Sequence, residues 1–150
     1  MRLSENFTLR ELTKSQTAER KRIDNTPGEE EIKNLRALCR NILQPVRNNY
    51  KAPITPSSGY RSYALNEAIG SSPRSQHIKG QAVDFEVPWI GNRLVACWVR
   101  DNLLFDQLIL EFYKESDPNS GWVHVSYVDS PAKNRKKARM FDGRTWKPLE

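Results

Sequence analysis

Apolar residues recur at helical spacing in one long segment that follows a helix start signal. Thr26, Pro27 and Glu29 combine a cap residue, a proline suited to the first helical position and the acid of a capping box. The apolar positions that follow lie mostly three or four residues apart and are Ile32, Leu35, Leu38, Cys39, Ile42 and Val46. This pattern predicts the main helix over about 27–48, with a kink or an end near Pro45.

Three shorter helices are predicted from cap residues and local periodicity. They cover about residues 9–15, 63–69 and 92–104. The polar segment 16–25, between the first helix and the main helix, is predicted to be a loop.

Alternation of apolar and polar residues predicts a sheet. Strands are expected over about 82–87, 107–113 and 122–128, and the last two flank the turn cluster 117–121, which makes them an antiparallel hairpin. A short edge strand is predicted near 54–55. The Asp-Gly pair in the tail predicts a further small hairpin. The expected fold class is α+β, with helices packed on one face of a small, mainly antiparallel sheet.

Both histidines of the chain lie on or beside these strands. On the alternating pattern, Asp84 and His124 point to the face opposite their apolar neighbours, and His77 lies in a loop just before the first strand. A single histidine is more often an ordinary buried or polar residue. Two imidazoles and one carboxylate on matching faces, however, make a zinc site with an open coordination position.

Two motifs in these segments resemble the zinc D-alanyl-D-alanine carboxypeptidase family, which groups with the lysostaphin-type and hedgehog-type zinc folds. They are Ser75-x-His77-x-x-Gly80-x-Ala82-x-Asp84 and Trp122-x-His124, and Ser58-Gly59-Tyr60-Arg61-Ser62 resembles the family's arginine segment. The resemblance covers about residues 30–130. It implies one Zn²⁺ per chain, bound by His77, Asp84 and His124. It also implies hydrolysis of peptidoglycan stem peptides, as a D-Ala-D-Ala carboxypeptidase or an endopeptidase, by a water that the metal activates.

A peptidase of this kind needs a general base. Relatives carry one at positions that are Gly121 and Trp122 here, and neither residue can transfer a proton. Glu111, in an otherwise apolar strand, is therefore the predicted base. Arg61 is predicted to stabilise the oxyanion or to hold a substrate carboxylate. The alternative is that Glu111 and Arg61 form a structural ion pair.

Other residues near these motifs have weaker assignments. Ser75, Trp122 and Tyr60 are predicted to contact substrate. Asp106, Gln107 and Ser126 are candidates for holding the far nitrogen of an imidazole.

Length and charge set the remaining expectations. With 150 residues the chain is predicted to be one domain, 1–150, with a metal-site core over about 30–130 and a basic tail over 131–150. The net charge of +6 fits an anionic envelope, and no nucleic-acid motif accompanies it. Cys39 and Cys97 are predicted to be small buried hydrophobes. A monomer is favoured.

The expected location follows from two negative features. No apolar run is long enough for a membrane span, and the first residues lack the apolar stretch of a signal peptide. We therefore expect synthesis in the cytoplasm without a signal peptide and, for a phage-associated enzyme, action at the bacterial cell wall.

Three other functions remain open at this stage. The first is a non-catalytic zinc-binding domain with a structural or wall-binding role. The second is a non-haem iron site, which uses the same ligand types but is disfavoured by the six residues between His77 and Asp84 and by the absence of a jelly-roll pattern. The third is a nucleic-acid binder, which rests on net charge alone.

Overall fold

The computed structural model describes residues 1–150, and a five-stranded sheet forms its centre. The strands are β1 Arg2–Ser4, β2 Phe7–Thr8, β3 Ala82–Phe85, β4 Gln107–Glu111, β5 Trp122–Ser126, β6 Lys137–Phe141 and β7 Trp146–Pro148. The main sheet has the order β3–β5–β4–β6–β7, and β1 pairs with β2 in a separate antiparallel ribbon. The predicted α+β class is confirmed, but the β1–β2 ribbon was not predicted.

The helices are α1 Leu9–Thr13, α2 Gln16–Lys21, α3 Glu29–Leu38, α4 Gln44–Tyr50, α5 Tyr63–Ile69 and α6 Asn92–Asn102. Short 3₁₀ turns cover Gln76–Lys79 and Pro131–Lys133. A capping box between Thr8 and Glu11 begins α1, in agreement with the predicted helix start near residue 9. Ser62 caps α5, which ends at Gly70 in the left-handed conformation, in agreement with the predicted bounds 63–69.

The main helix differs from its prediction at both ends. It begins at Glu29 after Gly28, because Thr26 hydrogen-bonds to Asp24 and does not cap the helix. A π-helical turn over Cys39–Leu43 joins α3 to α4, so the chain stays helical to Tyr50 despite Pro45. The wider turn accommodates a proline that has no N–H to donate.

Two local predictions are wrong. Residues 16–21 of the predicted loop form α2, with the hydroxyl of Ser15 accepting the N–H of Ala18, which is buried, and only 22–25 lack regular structure. Residues 54–55 do not form a strand, and the nearest pairing is a single bridge between Ser58 and Asp84. Both segments are held by contacts with distant parts of the chain, which local patterns do not encode.

The pairing of the main sheet is mostly antiparallel, as predicted. β3 with β5, β4 with β5, and β6 with β7 are antiparallel, whereas β4 and β6 are parallel. The tail therefore adds two strands to the sheet, and its predicted hairpin joins them.

The two faces of the sheet have different roles. Val83, Phe85, Val123 and Val125 lie on the face that joins the hydrophobic core with the helices, and Asp84 and His124 lie on the other face. The core side chains therefore fix the register that brings Asp84 opposite His124.

Both cysteines are free, and Cys39 is buried. Burial raises the pKa of the Cys39 thiol to about 12, which fits its predicted role as a small hydrophobe. No helix combines the length and the apolar character that a bilayer crossing requires.

Candidate metal centre

His77 is presented by the 3₁₀ turn just before β3. The hydroxyl of Ser75 accepts the backbone N–H of His77 at 3.2 Å and caps the turn. Gly80 ends the turn with φ of +72°, and a Cβ there would lie 2.6 Å from the carbonyl oxygen of Glu31. The fixed glycine of the motif is thus required by conformation and by close packing on the main helix.

The ring of His77 is buried and oriented by one hydrogen bond. Its Nδ1 lies 2.7 Å from the carbonyl oxygen of Gly59, which can only accept, so Nδ1 carries the proton. Nε2 then has its lone pair free and lies 3.4 Å from Oδ2 of Asp84. Burial lowers the pKa of His77, which favours the neutral imidazole that binds metals.

Asp84 and His124 are direct partners across β3 and β5. Oδ1 of Asp84 lies 2.8 Å from Nδ1 of His124. Burial alone would raise the pKa of Asp84, but the hydrogen bond with the His124 imidazole outweighs it, so the pKa lies below its usual value. The carboxylate is therefore held ionised between two imidazoles.

The three side chains fit a divalent zinc ion. Ligand atoms of His77, Asp84 and His124 all lie within 4.8 Å of one another. Ligands at about 2.0–2.2 Å from a tetrahedral metal are roughly 3.3 Å apart, close to the 3.4 Å between Nε2 of His77 and Oδ2 of Asp84. Two nitrogens and one oxygen are also a donor set that zinc accepts.

Glu111 lies on the same face of the sheet, at the end of β4. It is opposite Trp122, while Ile109 is opposite His124, so Glu111 and His124 are diagonal neighbours. The indole Nε1 of Trp122 donates to Oε2 of Glu111 at 2.9 Å. Burial raises the pKa of Glu111. The predicted base is thus a half-buried carboxylate beside the three ligand side chains.

Gly121 explains why no acid stands at one of the usual base positions. Its φ is +67°, and a Cβ there would lie 1.9 Å from the carbonyl oxygen of Glu111. Backbone fills the space that a side chain would need. Position 121 therefore cannot carry an acidic side chain, and the nearby carboxylate is that of Glu111 on the neighbouring strand β4.

Arg61 is fixed by three groups around its guanidinium. Nε donates to Ser58 Oγ at 3.1 Å, Nη1 donates to Asn66 Oδ1 at 3.2 Å, and Nη2 lies 3.7 Å from Oδ2 of Asp84. Its ion-pair partner is Asp84, so the alternative pairing of Arg61 with Glu111 is not formed. The guanidinium therefore lies at the edge of the candidate centre.

The remaining predicted residues have different surroundings. Ser75 contacts the backbone of His77, Trp122 is half-buried and packs against Phe112, and Tyr60 is buried in the core. The expectation that Asp106, Gln107 or Ser126 holds an imidazole is wrong. Asp106 bonds to Arg135 and Gln76, and Ser126 accepts the backbone N–H of Gln107.

Two positioning groups were missed by the sequence analysis. One is the Gly59 carbonyl that orients His77, which leaves no signal because every residue has a carbonyl. The other is Asn25, whose amide donates to the carbonyls of Thr13 and Tyr60 and accepts the N–H of Ser62. The Asn25 side chain therefore hydrogen-bonds to the residues on both sides of Arg61, although it lies 36 residues before Arg61 in sequence.

The chain matches the model of a known protein family. The family model described as Peptidase M15 matches residues 5–126, a range that includes all three candidate ligands as well as Glu111 and Arg61. A search of curated proteins found no match.

Proposed function

The chain belongs to the M15 peptidase family, and on that premise we propose that it hydrolyses peptide bonds in peptidoglycan stem peptides with the help of one zinc ion. The family is zinc-dependent and of the D-alanyl-D-alanine carboxypeptidase type. The observation that carries the proposal is the convergence of His77, Asp84 and His124 beside Glu111 on the open face of the sheet. Its site of action is then the bacterial cell wall.

His77, Asp84 and His124 are the residues that hold the metal in this proposal. The Gly59 carbonyl keeps His77 in the tautomer with a free Nε2, and burial keeps the imidazole neutral. When bound, zinc polarises the scissile carbonyl and makes water a stronger nucleophile. The chain's own contribution is a set of ligand atoms that already lie within 4.8 Å of one another.

Glu111 acts as the general base. Its carboxylate takes a proton from the attacking water and delivers it to the leaving amine. The indole of Trp122 donates a hydrogen bond to Oε2 of Glu111 and so fixes that oxygen. The other carboxylate oxygen, Oε1, stays free to accept the proton. Burial raises the pKa of Glu111, which makes its carboxylate a stronger base than an ordinary one and suits it to take a proton from water.

Arg61 stabilises the negative oxygen that develops at the scissile carbon. Its guanidinium is already held by Ser58 and Asn66 and faces the centre next to Asp84. A preorganised cation needs little reorganisation when charge develops. Ser75, Trp122 and Tyr60 remain proposed substrate contacts, with Trp122 the nearest to Glu111.

Digestion of purified peptidoglycan tests this function. Zinc-loaded protein is incubated with the wall, and fragments are identified by mass spectrometry, with a parallel sample in chelator and a third with zinc restored. We expect new termini at one stem-peptide bond: the terminal D-Ala-D-Ala bond, a cross-link or the L-Ala-D-Glu bond. A zinc-loaded protein that cuts no wall peptide would support the non-catalytic zinc-binding domain instead.

A further inference from the structure

A cavity of about 520 Å³ lies next to the candidate centre, between the segment 55–61, the residues Lys14 and Ser15 that join α1 to α2, and the helices α2 and α5. This volume is within the roughly 300–1,000 Å³ of small-molecule sites. The cavity shares Arg61 and Ser58 with the centre, because both line it while Arg61 also lies 3.7 Å from Asp84. A ligand in the cavity would therefore be adjacent to a substrate bond at the centre.

The lining of this cavity carries positive charge only. Lys14, Arg20 and Arg61 contribute to it, and none of the 13 lining residues is an Asp or a Glu. Lys14 and Arg20 are exposed and form no ion pair in the structure, whereas Arg61 is paired with Asp84. Two cations that line one cleft and have no ion-pair partner attract an anionic group.

The remaining walls add hydroxyl groups and a small apolar surface. Ser57, Ser58 and Thr17 supply hydroxyls, and Leu65 and Ile69 of α5 supply the apolar part. Ile69 is 47% exposed, which is high for an isoleucine in a helix. A short peptide with a carboxylate and small aliphatic side chains matches this combination.

We propose that this cavity binds a carboxylate-bearing part of the stem peptide, and that Lys14 and Arg20 hold the carboxylate while a neighbouring bond lies at the metal centre. The proposal rests on the proposed function, since it names how the same substrate is recognised. It assigns a binding role to α2 and to Lys14, the residue that follows α1, and neither belongs to the centre.

Pairs of synthetic stem peptides test the proposal. The two peptides of the first pair differ only at the α-carboxyl of D-Glu, which is free in one and a carboxamide in the other. The two peptides of the second pair differ in the same way at the C-terminal carboxyl. KM and kcat are measured for the zinc-loaded wild type and for the double variant Lys14→Gln/Arg20→Gln. The matched control is Lys21→Gln, which removes an exposed charge from α2 outside the cavity.

For one of the two peptide pairs, we expect the wild type to have a lower KM for the carboxylate peptide than for its carboxamide partner. The double variant should raise KM for that peptide about fivefold, the size expected for two exposed ion pairs, and leave its carboxamide partner and kcat unchanged. Lys21→Gln should behave as wild type. An unchanged preference in the double variant for both pairs, or an equal loss on carboxylate and carboxamide, overturns the proposal.

A binding measurement separates this proposal from the proposed function. The same peptides are titrated calorimetrically into chelator-treated protein, where no turnover occurs. Tighter binding of the carboxylate peptide that the double variant abolishes supports the cavity assignment even when the wild type cleaves no peptide. Equal binding of carboxylate and carboxamide to the wild type rejects it, whatever the outcome of the wall digestion.

Discussion

The indole of Trp122 donates a 2.9 Å hydrogen bond to Oε2 of Glu111, its direct partner across β4 and β5. A neutral donor fixes the carboxylate without neutralising it, and one bond leaves the second oxygen free to accept a proton. The pair also explains the spacing of the site. Trp122 and His124 lie on the same face of β5, two residues apart. Glu111, paired with Trp122, is therefore held diagonally next to the candidate ligand His124.

Replacing Glu111 by glutamine should abolish turnover without loss of structure. The amide keeps the shape and can still accept from Trp122, but it cannot take a proton from water. We expect kcat on peptidoglycan to fall about 10²–10⁴-fold. Zinc content and melting temperature should stay at the wild-type values, as measured by metal analysis and calorimetry.

The matched control for this change is Glu115→Gln. Its side chain is 74% exposed and pairs with Arg93 away from the centre. It removes the same charge, so its activity should remain within a factor of two of wild type, since exposed ion pairs contribute about 0–1 kcal/mol. Full activity in Glu111→Gln would show that another group is the base.

Gly121 and Gly70 offer a test of the crowding at the turn into β5. Both have positive φ, but a Cβ at Gly70 meets nothing within 4 Å, whereas at Gly121 it would overlap the Glu111 carbonyl. Gly70→Ala should lower the free energy of unfolding by about 1–2 kcal/mol, which is the cost of placing a residue with a Cβ in the left-handed conformation. Gly121→Ala should cost roughly 3 kcal/mol or more, because the backbone must also move. Urea denaturation measures both, and equal losses would contradict the crowding argument.

The candidate centre was predictable because two of its residues are on strands. Alternation alone puts Asp84 and His124 on one face, and the apolar neighbours Val83 and Val125 fix the register that makes them partners. His77 required more: its position depends on a capped 3₁₀ turn and on the Gly59 carbonyl. His77 is predicted because it is one of the chain's two histidines and lies just before β3, and the motif resemblance supports that choice, since periodicity does not extend into a loop.

The unpredicted parts depend on contacts between residues distant in sequence. α2 contains one buried residue, Ala18, and its polar sequence gives no periodic signal. The parallel pairing of β6 with β4 follows from a crossover that Asp106 anchors through Arg135. Helix propensity and turn signals describe neighbours in the chain, so neither feature could be derived from them.

Metal removal should destabilise the protein as well as inactivate it. We expect one zinc per chain. At a free zinc concentration of 1,000 times Kd, zinc binding should raise the free energy of unfolding by about 4 kcal/mol. For a chain of this length that corresponds to roughly 10 °C in melting temperature. Chelator should lower the melting temperature of the wild type by this amount.

The variant His124→Ala provides the control for this experiment. It lacks one of the three ligands, so its melting temperature should be the same with zinc and with chelator. A wild type whose melting temperature does not respond to chelator, or a variant that responds as strongly as wild type, would contradict the assignment of the centre.

Asp106 connects the tail to the segment that carries His77. Its buried carboxylate accepts from Nε of Arg135 at 2.8 Å, from Nη2 of Arg135 at 2.9 Å and from Nε2 of Gln76 at 2.9 Å. The hydrogen bonds from Arg135 hold the pKa of Asp106 at about 2. A carboxyl whose pKa is lower in the folded than in the unfolded protein stabilises the fold above the unfolded pKa of about 3.9.

That stabilisation should disappear in acid, as the pH falls from about 4 through the folded pKa of about 2. Asp106→Asn should therefore lower the unfolding free energy by about 2 kcal/mol at pH 7, and its difference from wild type should shrink across this window. Denaturant unfolding at pH 7, 4, 3 and 2 measures the difference. Asp129→Asn, at an exposed position, is the control and should change stability by less than about 0.5 kcal/mol at each pH. A difference for Asp106→Asn that stays constant down to pH 2 would mean that its charge does not link the tail to the fold.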